Sequence, residues 1–249
     1  MKVEFTLKLA DYNIAVKSLY PFVKKMCCDY LTDDAADFSI NICSSDIDFE
    51  REKSAREDKM EGRAVRNFSD EYLETLAVYR KIAEKMIDYD TLLFHGSVVS
   101  VDGVGYLFTA KSGTGKSTHT RLWRELFDKR AVMVNDDKPL LKITDDGVIV
   151  YGTPWDGKHR LSSNIAVPLK AICILERGET NHIEMISKRE AYVMMMQQSY
   201  RPHNSMKMVK MMNLVDKLGE CVELYKLSCN MDIEAAKVAY QGMNERKKM

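Results

Sequence analysis

The sequence has no excess of either charge. Its 37 acidic and 37 basic residues cancel over 249 positions, so no global field recruits nucleic acid or an anionic membrane. It has no apolar run approaching the ~20 residues of a spanning helix. Its first residues, MKVEFTLKLADYN, alternate in strand fashion and do not form the apolar core of a signal peptide. The expectation is a cytoplasmic protein without nucleic-acid or membrane partners. Cysteine is present at Cys27, Cys28, Cys43, Cys173, Cys221 and Cys229, yet no CxxC pair or Cys/His metal spacing occurs. These thiols lie mostly inside apolar patterns and read as buried and reduced.

What is present centres on Gly105–Thr118, GYLFTAKSGTGKST. An apolar run, Tyr106 to Thr109, feeds a turn ending in Lys116-Ser117-Thr118, and a helical pattern follows from His119 to Asp128. That order is the one a phosphate-binding loop requires. Gly113 and Gly115 let the backbone curl so that N–H groups converge on an anion, and the following helix adds its positive end. Ser112, Gly113, Thr114, Gly115, Lys116, Ser117 and Thr118 are therefore the candidate nucleotide-binding residues. Lys116 is expected to reach the β- and γ-phosphates, and the Ser117 hydroxyl to ligate Mg²⁺. The motif departs from its usual form at Ala110, where glycine is customary; alanine fits there if it simply ends the strand.

The length suits one domain, or a catalytic domain with a smaller N-terminal module. We place the division at 1–90 and 91–249. In the first part, Val3 to Leu9 alternates as a strand, Ile14 to Tyr30 has helical spacing, and Phe38 to Ile42 reads as a second strand. The charged segment Asp46 to Arg66 reads as a solvated helix or linker. A partial capping pattern at Ser69 opens a long amphipathic helix that ends near Tyr89.

Chemistry gathers in the second part. Leu92 to Val101 is strand-like, Asp102-Gly103 signals a hairpin, and the returning strand enters the loop. Ala131 to Val134 is a short buried strand ending at Asn135-Asp136-Asp137, about 20 residues after the loop, where a carboxylate must meet the metal. A second hairpin, Pro139–Ile143 with Val148–Tyr151, delivers the polar, aromatic turn Gly152 to Arg160, where Trp155 is expected to cover an apolar or peptide surface of the acceptor. Pro168 to Glu176 and Glu223 to Leu227 read as strands, and Lys188–Gln198, Asn204–Leu218 and Ile233–Tyr240 as helices. Several of the sixteen methionines concentrate between Met194 and Met212. Adaptable packing and a docking surface are both open readings of that cluster.

The combination FHGSVVSVDGVGYLFTAKSGTGKST, VNDDKPLL, GTPWDGK and VPLKAICILERG resembles the C-terminal kinase domain of the HPr kinase/phosphorylase family. It also resembles smaller HPr-kinase-related proteins, some of which phosphorylate ribosomal peptide precursors. The resemblance covers about residues 91 to 178 and extends more weakly to 240. It implies an α/β (α+β) fold with a mixed, largely antiparallel sheet around the loop, related to the nucleotide-binding half of ATP-dependent phosphoenolpyruvate carboxykinase, plus a small α+β N-terminal module. The two hairpins agree with such a sheet. The N-terminal module does not match that of the HPr kinases, which puts the HPr protein itself in doubt as substrate.

The resemblance implies an ATP- and Mg²⁺-dependent kinase acting on a hydroxyl, most directly a serine of a protein or peptide, or a small hydroxyl metabolite, in a homo-oligomer. His95 falls in the family's His-Gly position, although a structural histidine at a strand end is the alternative. Asp136 is expected as base and Asp137 as metal ligand, with exchange of the two open. Lys158, then Arg160 and Arg201, are candidates to clamp the acceptor or phosphate. A carboxykinase-like enzyme and a non-catalytic nucleotide-binding regulator are the competing functions.

Overall fold

In the computed structural model, which describes residues 2–157 and 159–245, the chain divides into two units, Met1–Lys85 and Met86–Met249. The first begins with a hairpin of β1 (Val3–Leu9) and β2 (Tyr12–Ser18). Its two turn residues, Ala10 and Asp11, both take positive φ, as a tight hairpin turn demands. This corrects the helix expected from Ile14. Ile14 and Val16 are β-branched, fully inward and two residues apart, and they pair with Leu7 and Phe5. Only α1 (Phe22–Met26) is an α-helix in that stretch. β3 (Phe38–Asn41) adds parallel to β2.

The charged segment is mainly α2 (Ser44–Met60), and it is more than a solvated face. Glu50 and Asp58 are buried. Arg80, on α3 (Asp70–Met86), donates to Glu50 at 2.5 Å and to Asp46 at 3.3 Å, while Arg66 donates to Asp58 at 2.8 Å. Burial alone would raise the Asp46 carboxyl, but hydrogen bonds from Lys81 and Cys43 bring its pKa down to about 2. Buried acids that look surplus in the sequence thus have guanidinium and ammonium partners.

The second unit is a sheet that, among the described residues, has nine strands and is mixed but largely antiparallel. In chain order it contains β4 (Thr91–Leu93), β5 (Ser97–Val101), β6 (Val104–Thr109), α4 (Lys116–Phe127) and β7 (Ala131–Asn135). Then come β8 (Leu140–Thr144), β9 (Gly147–Tyr151), β10 (Ala166–Arg177), β11 (His182–Met185), α5 (Lys188–Gln198), α6 (Ser205–Cys221), β12 (Glu223–Cys229) and α7 (Ile233–Asn244). The main path runs β4-β8-β9-β10-β6-β5-β7. β10 lies parallel to both β6 and β12, and the remaining pairs are antiparallel.

Alternate residues of the central strands feed two cores. Val98, Leu107, Ile172 and Leu224 pack with α5 and α6, while Val99, Phe108, Cys173 and Tyr225 pack with α4 and α7. Because both faces are covered, these strands read in sequence as continuous apolar runs. Ser187 and Asn204 cap α5 and α6 by accepting hydrogen bonds from Glu190 and Lys207 backbone N–H groups. No described helix is long and apolar enough to cross a membrane.

Burial of the thiols is narrower than expected. Cys27 and Cys173 are buried, Cys221 and Cys229 are partly so, and Cys28 and Cys43 are exposed. The methionine cluster is divided in the same way: Met195 and Met211 are core residues, and Met206 and Met212 are exposed.

Candidate functional site

The loop between β6 and α4 is where the expected residues meet. Ala110 ends the strand, fully buried and without positive φ, so the missing glycine costs nothing there. Gly113 (φ 76°) and Gly115 (φ 123°) do hold left-handed conformations that strain any L side chain. Gly115 caps α4, so the first-turn N–H groups, which have no carbonyl partners within the helix, belong to the loop. Ser112 and Ser117 are exposed, and Thr114 and Thr118 are half-buried. The Arg177 guanidinium donates to the Gly113 carbonyl at 2.6 Å and ties the loop to the end of β10.

Lys116 opens α4 and turns inward, its ammonium donating to the Ala110 carbonyl at 3.4 Å. Burial pushes its pKa down, and the carboxylates of Asp137 and Asp136 push it partly back. One ammonium and two carboxylates, separated by 20 residues of chain, therefore share one electrostatic environment.

The acids are shaped by Asn135 at the end of β7. Its side-chain carbonyl accepts from the N–H groups of Asp137 (2.8 Å) and Lys138 (2.6 Å), and its amide donates to the carbonyl and hydroxyl of Thr153 (3.1 Å each). Asp136 is only 5% exposed and accepts from Ser97 Oγ at 2.7 Å. That hydroxyl is itself 3.1 Å from Thr120 Oγ1, one turn into α4. Gly157 covers the other carboxylate oxygen: a Cβ there would stand 2.7 Å from Asp136 Oδ2.

Asp137 faces outward, about a third exposed, with Oδ1 3.3 Å from His95 Nε2 and Oδ2 3.9 Å from Lys138 Nζ. Burial alone would raise its pKa. The hydrogen bond from His95 and the charges of Lys138, His95 and Lys116 outweigh that and hold it below the ordinary carboxylate value. His95 is fixed through its backbone: its N–H donates to the Gln198 carbonyl at 2.7 Å, and Thr109 Oγ1 donates to its carbonyl at 3.1 Å. Gly96 follows because a Cβ there would press to 2.9 Å on Leu107.

The turn after β9 departs from expectation. Trp155 is 5% exposed and belongs to the interior, so it presents no surface to an acceptor. Asp156 is occupied in accepting from Ser162 Oγ at 2.9 Å. Lys158 lies outside the described residues. Arg160 is exposed with φ 50°, and Arg201 is exposed in the loop between α5 and α6.

The sequence reading overlooked Ser97, Thr120, Asn135, Thr153 and Gly157, which hold the acids. The available signal was polarity inside apolar runs, as at Ser97 before Val98-Val99.

A cleft of about 500 Å³ opens on the other side of the loop. It is lined by Gly113–Gly115, by Thr118, His119 and Leu122 of α4, and by the ends of β10 and β12 with the residues just beyond them. His119 is 2% exposed, and burial takes its pKa down to about 3. Its Nε2 accepts from the Trp123 indole N–H at 3.0 Å. Its Nδ1 is buried with no hydrogen-bond partner among the described residues. No group of three or more His, Cys, Asp or Glu side chains able to hold a metal occurs among the described residues.

Compared with known proteins, residues 64–240 match the family described as SynChlorMet cassette protein ScmC. No curated protein matches. Among solved structures, the chain is similar to the Hpr(Ser) kinase/phosphatase from Coxiella burnetii at a TM-score of 0.32 and 13% identity, over 60% of this chain and 94% of that one.

Proposed function

The chain belongs to the ScmC family, and on the site just described we propose that it is an ATP-dependent kinase that transfers the γ-phosphate to a hydroxyl, that of a serine in a protein or peptide. One observation carries this reading. Lys116, at the junction of a glycine-turned loop and a helix N-terminus, is withdrawn from water beside two carboxylates that arrive from a separate strand. A lysine paired with acids for structure alone has no need of the glycine-turned loop and the helix N-terminus that accompany this one, whereas a phosphate-binding loop needs all of them together.

In the proposed reaction the backbone N–H groups of Ser112 to Ser117 hold the phosphates, and Lys116 offsets the charge developing between the β- and γ-positions. Partial burial disfavours the ammonium itself but strengthens its attraction to a phosphate, because less water screens the pair. Asp136, Asp137 and Ser117 supply oxygen donors, the set that suits a hard cation such as Mg²⁺, which when bound neutralises phosphate charge.

The two acids divide the work in the reverse of the order expected from sequence. Asp136 is enclosed by Ser97 and Gly157 and linked through Ser97 to Thr120 on the loop helix, which suits a fixed metal-side ligand. Asp137 is open to an incoming hydroxyl and oriented by His95, which suits the proton acceptor. The hydroxyl oxygen bonds to the γ-phosphorus, the β–γ bridging bond breaks, and the hydroxyl proton passes to Asp137. Because that carboxylate is a weak base, the transfer comes late, after the oxygen has begun to bond.

The test is calorimetric titration of ATP with Mg²⁺ into the full chain and Lys116→Ala, followed by release or transfer of γ-labelled phosphate. Affinity should fall at least tenfold and turnover should vanish while the fold persists. Unchanged ATP affinity in a folded Lys116→Ala protein removes the reading. Nucleotide binding without turnover in the wild type, across peptide and metabolite acceptors, identifies a regulator instead.

A further inference from the structure

We propose that the cleft beyond the loop receives the nucleoside half of the bound nucleotide, with His119 Nδ1–H as a hydrogen-bond donor to it; this rests on the phosphate-loop reading above.

The first support is position. β6, β10 and β12 are parallel neighbours, with Ile172 of β10 in register with both Leu107 and Leu224. β10 and β12 end together, at Arg177 and Cys229, three residues past the level at which β6 ends at Thr109, and the cleft lies at those carboxyl ends, where open sheets hold their ligands. The second is polarity along the loop. Lys116 and its two acids mark the β/γ end of a bound triphosphate. None of the three lines the cleft, which instead adjoins Gly113–Gly115 and Thr118. A chain of phosphates laid along the loop from the acids therefore leads toward it.

The third support is an unused donor. Trp123 Nε1–H can only donate, so the His119 Nε2 that accepts from it carries no proton, and the proton of the ring sits on Nδ1. That N–H is buried without an acceptor among the described residues, at a cost that natural interiors rarely leave uncompensated. Around it the cleft offers Leu122, Leu175 and Met231, and its volume lies in the range of small-molecule sites. A slot that joins these apolar side chains to the polar Thr118 and Asn230 and to the buried His119 donor suits a flat heterocycle or ribose bearing acceptor atoms. It is a poor host for another phosphate, because among the described residues Arg177 is its one charged cation, and Arg177 donates to the Gly113 carbonyl.

The experiment titrates the full chain with Mg²⁺ and either ATP, GTP or inorganic tripolyphosphate. In parallel, ¹⁵N-histidine NMR follows the His119 ring, assigned with His119→Gln, whose side-chain carbonyl still accepts from Trp123. ATP or GTP should bind more tightly than tripolyphosphate and shift the His119 Nδ1 resonance, while tripolyphosphate leaves it in place. His119→Gln should weaken the preferred nucleotide about tenfold, the worth of one buried hydrogen bond, and leave tripolyphosphate affinity unchanged. If tripolyphosphate binds and both nucleotides bind no better, or if His119 is unmoved by them, the cleft assignment is overturned while the phosphate loop stands. If none of the three binds, the loop reading fails and this one fails with it.

Discussion

Acidification should destabilise the second unit well above the pH at which carboxylates titrate, and His119 is the reason. Its folded pKa is about 3, against an ordinary value of 6.5. The sign follows from linkage: below pH 6.5 the unfolded chain takes up a proton that the folded one refuses, so stability is full above 6.5 and falls as pH drops toward 3. For a 3.5-unit shift the loss is RT ln(1 + 10^(6.5 − pH)), which gives about 1.4 kcal/mol at pH 5.5 and about 2.7 kcal/mol at pH 4.5. In a unit of this size that corresponds to a fall of roughly 3–5 °C in Tm at pH 5.5. The assay is thermal or urea unfolding of wild type and His119→Gln across pH 7.5 to 4.5. Other titrating groups are common to both proteins and cancel in the difference. The variant should be less stable at pH 7.5, and its deficit should shrink by about 1.4 kcal/mol at pH 5.5. Parallel curves would refute the claim that the ring is neutral and sealed in the folded protein.

Three further outcomes are expected. Asp137→Asn should bind Mg·ATP nearly as wild type yet lose ~10²-fold or more in phosphoryl transfer, whereas Asp136→Asn should raise the Mg²⁺ concentration needed for half-maximal binding; opposite phenotypes in the same titrations would exchange the two acids. Gly157→Ala should depress turnover far more than it lowers Tm, since the added methyl meets Asp136 at 2.7 Å, and wild-type rates would show that this turn does not fix the acid. Asp46→Asn should cost up to about 2 kcal/mol at pH 7, allowing for partial solvent screening, because a carboxyl held near 2 stabilises the fold above its unfolded pKa of 3.8 and loses that contribution as pH falls toward 2. Urea unfolding at pH 7 and pH 2.5 checks it, and a deficit that does not shrink in acid would count against the Lys81 and Cys43 contacts as its cause.

The elements that were legible are those whose signal is local. Asp102-Gly103 and Thr144 to Gly147 specify tight turns, so both hairpins follow from the sequence, and the strand–glycine–helix order around Lys116 follows from spacing alone. The first helix was misread because Ile14, Val16 and the residues after them satisfy two periods at once over a short window. The choice was made by the positive φ at Ala10 and Asp11, which turned the chain back on β1. β11 was missed for the opposite reason: of its four residues only Ile183 packs inward, against Gly242 of α7, so it carries no alternation to detect. The acids of α2 looked solvated because their partners, Arg66 and Arg80, lie 8 and 30 residues away in sequence.

The division between Asp136 and Asp137 shows what adjacency in sequence conceals. Two neighbouring carboxylates leave a turn in different directions, and each acquires its chemistry from whatever it meets. One side is closed: Ser97 donates to one oxygen of Asp136, Gly157 packs close to the other without bonding to it, and the turn that carries Trp155 is folded inward beside them. The other side is open, with His95 beside Asp137 and both partly exposed. For the proposed transfer, an acceptor hydroxyl therefore approaches past His95, from the edge where the His95 N–H is tied to Gln198 at the end of α5. Arg201 lies three residues beyond that anchor, exposed in the loop that leads to α6. Of the cations first considered for the acceptor, Arg201 is thus the one joined by a short run of chain to the residue that anchors His95.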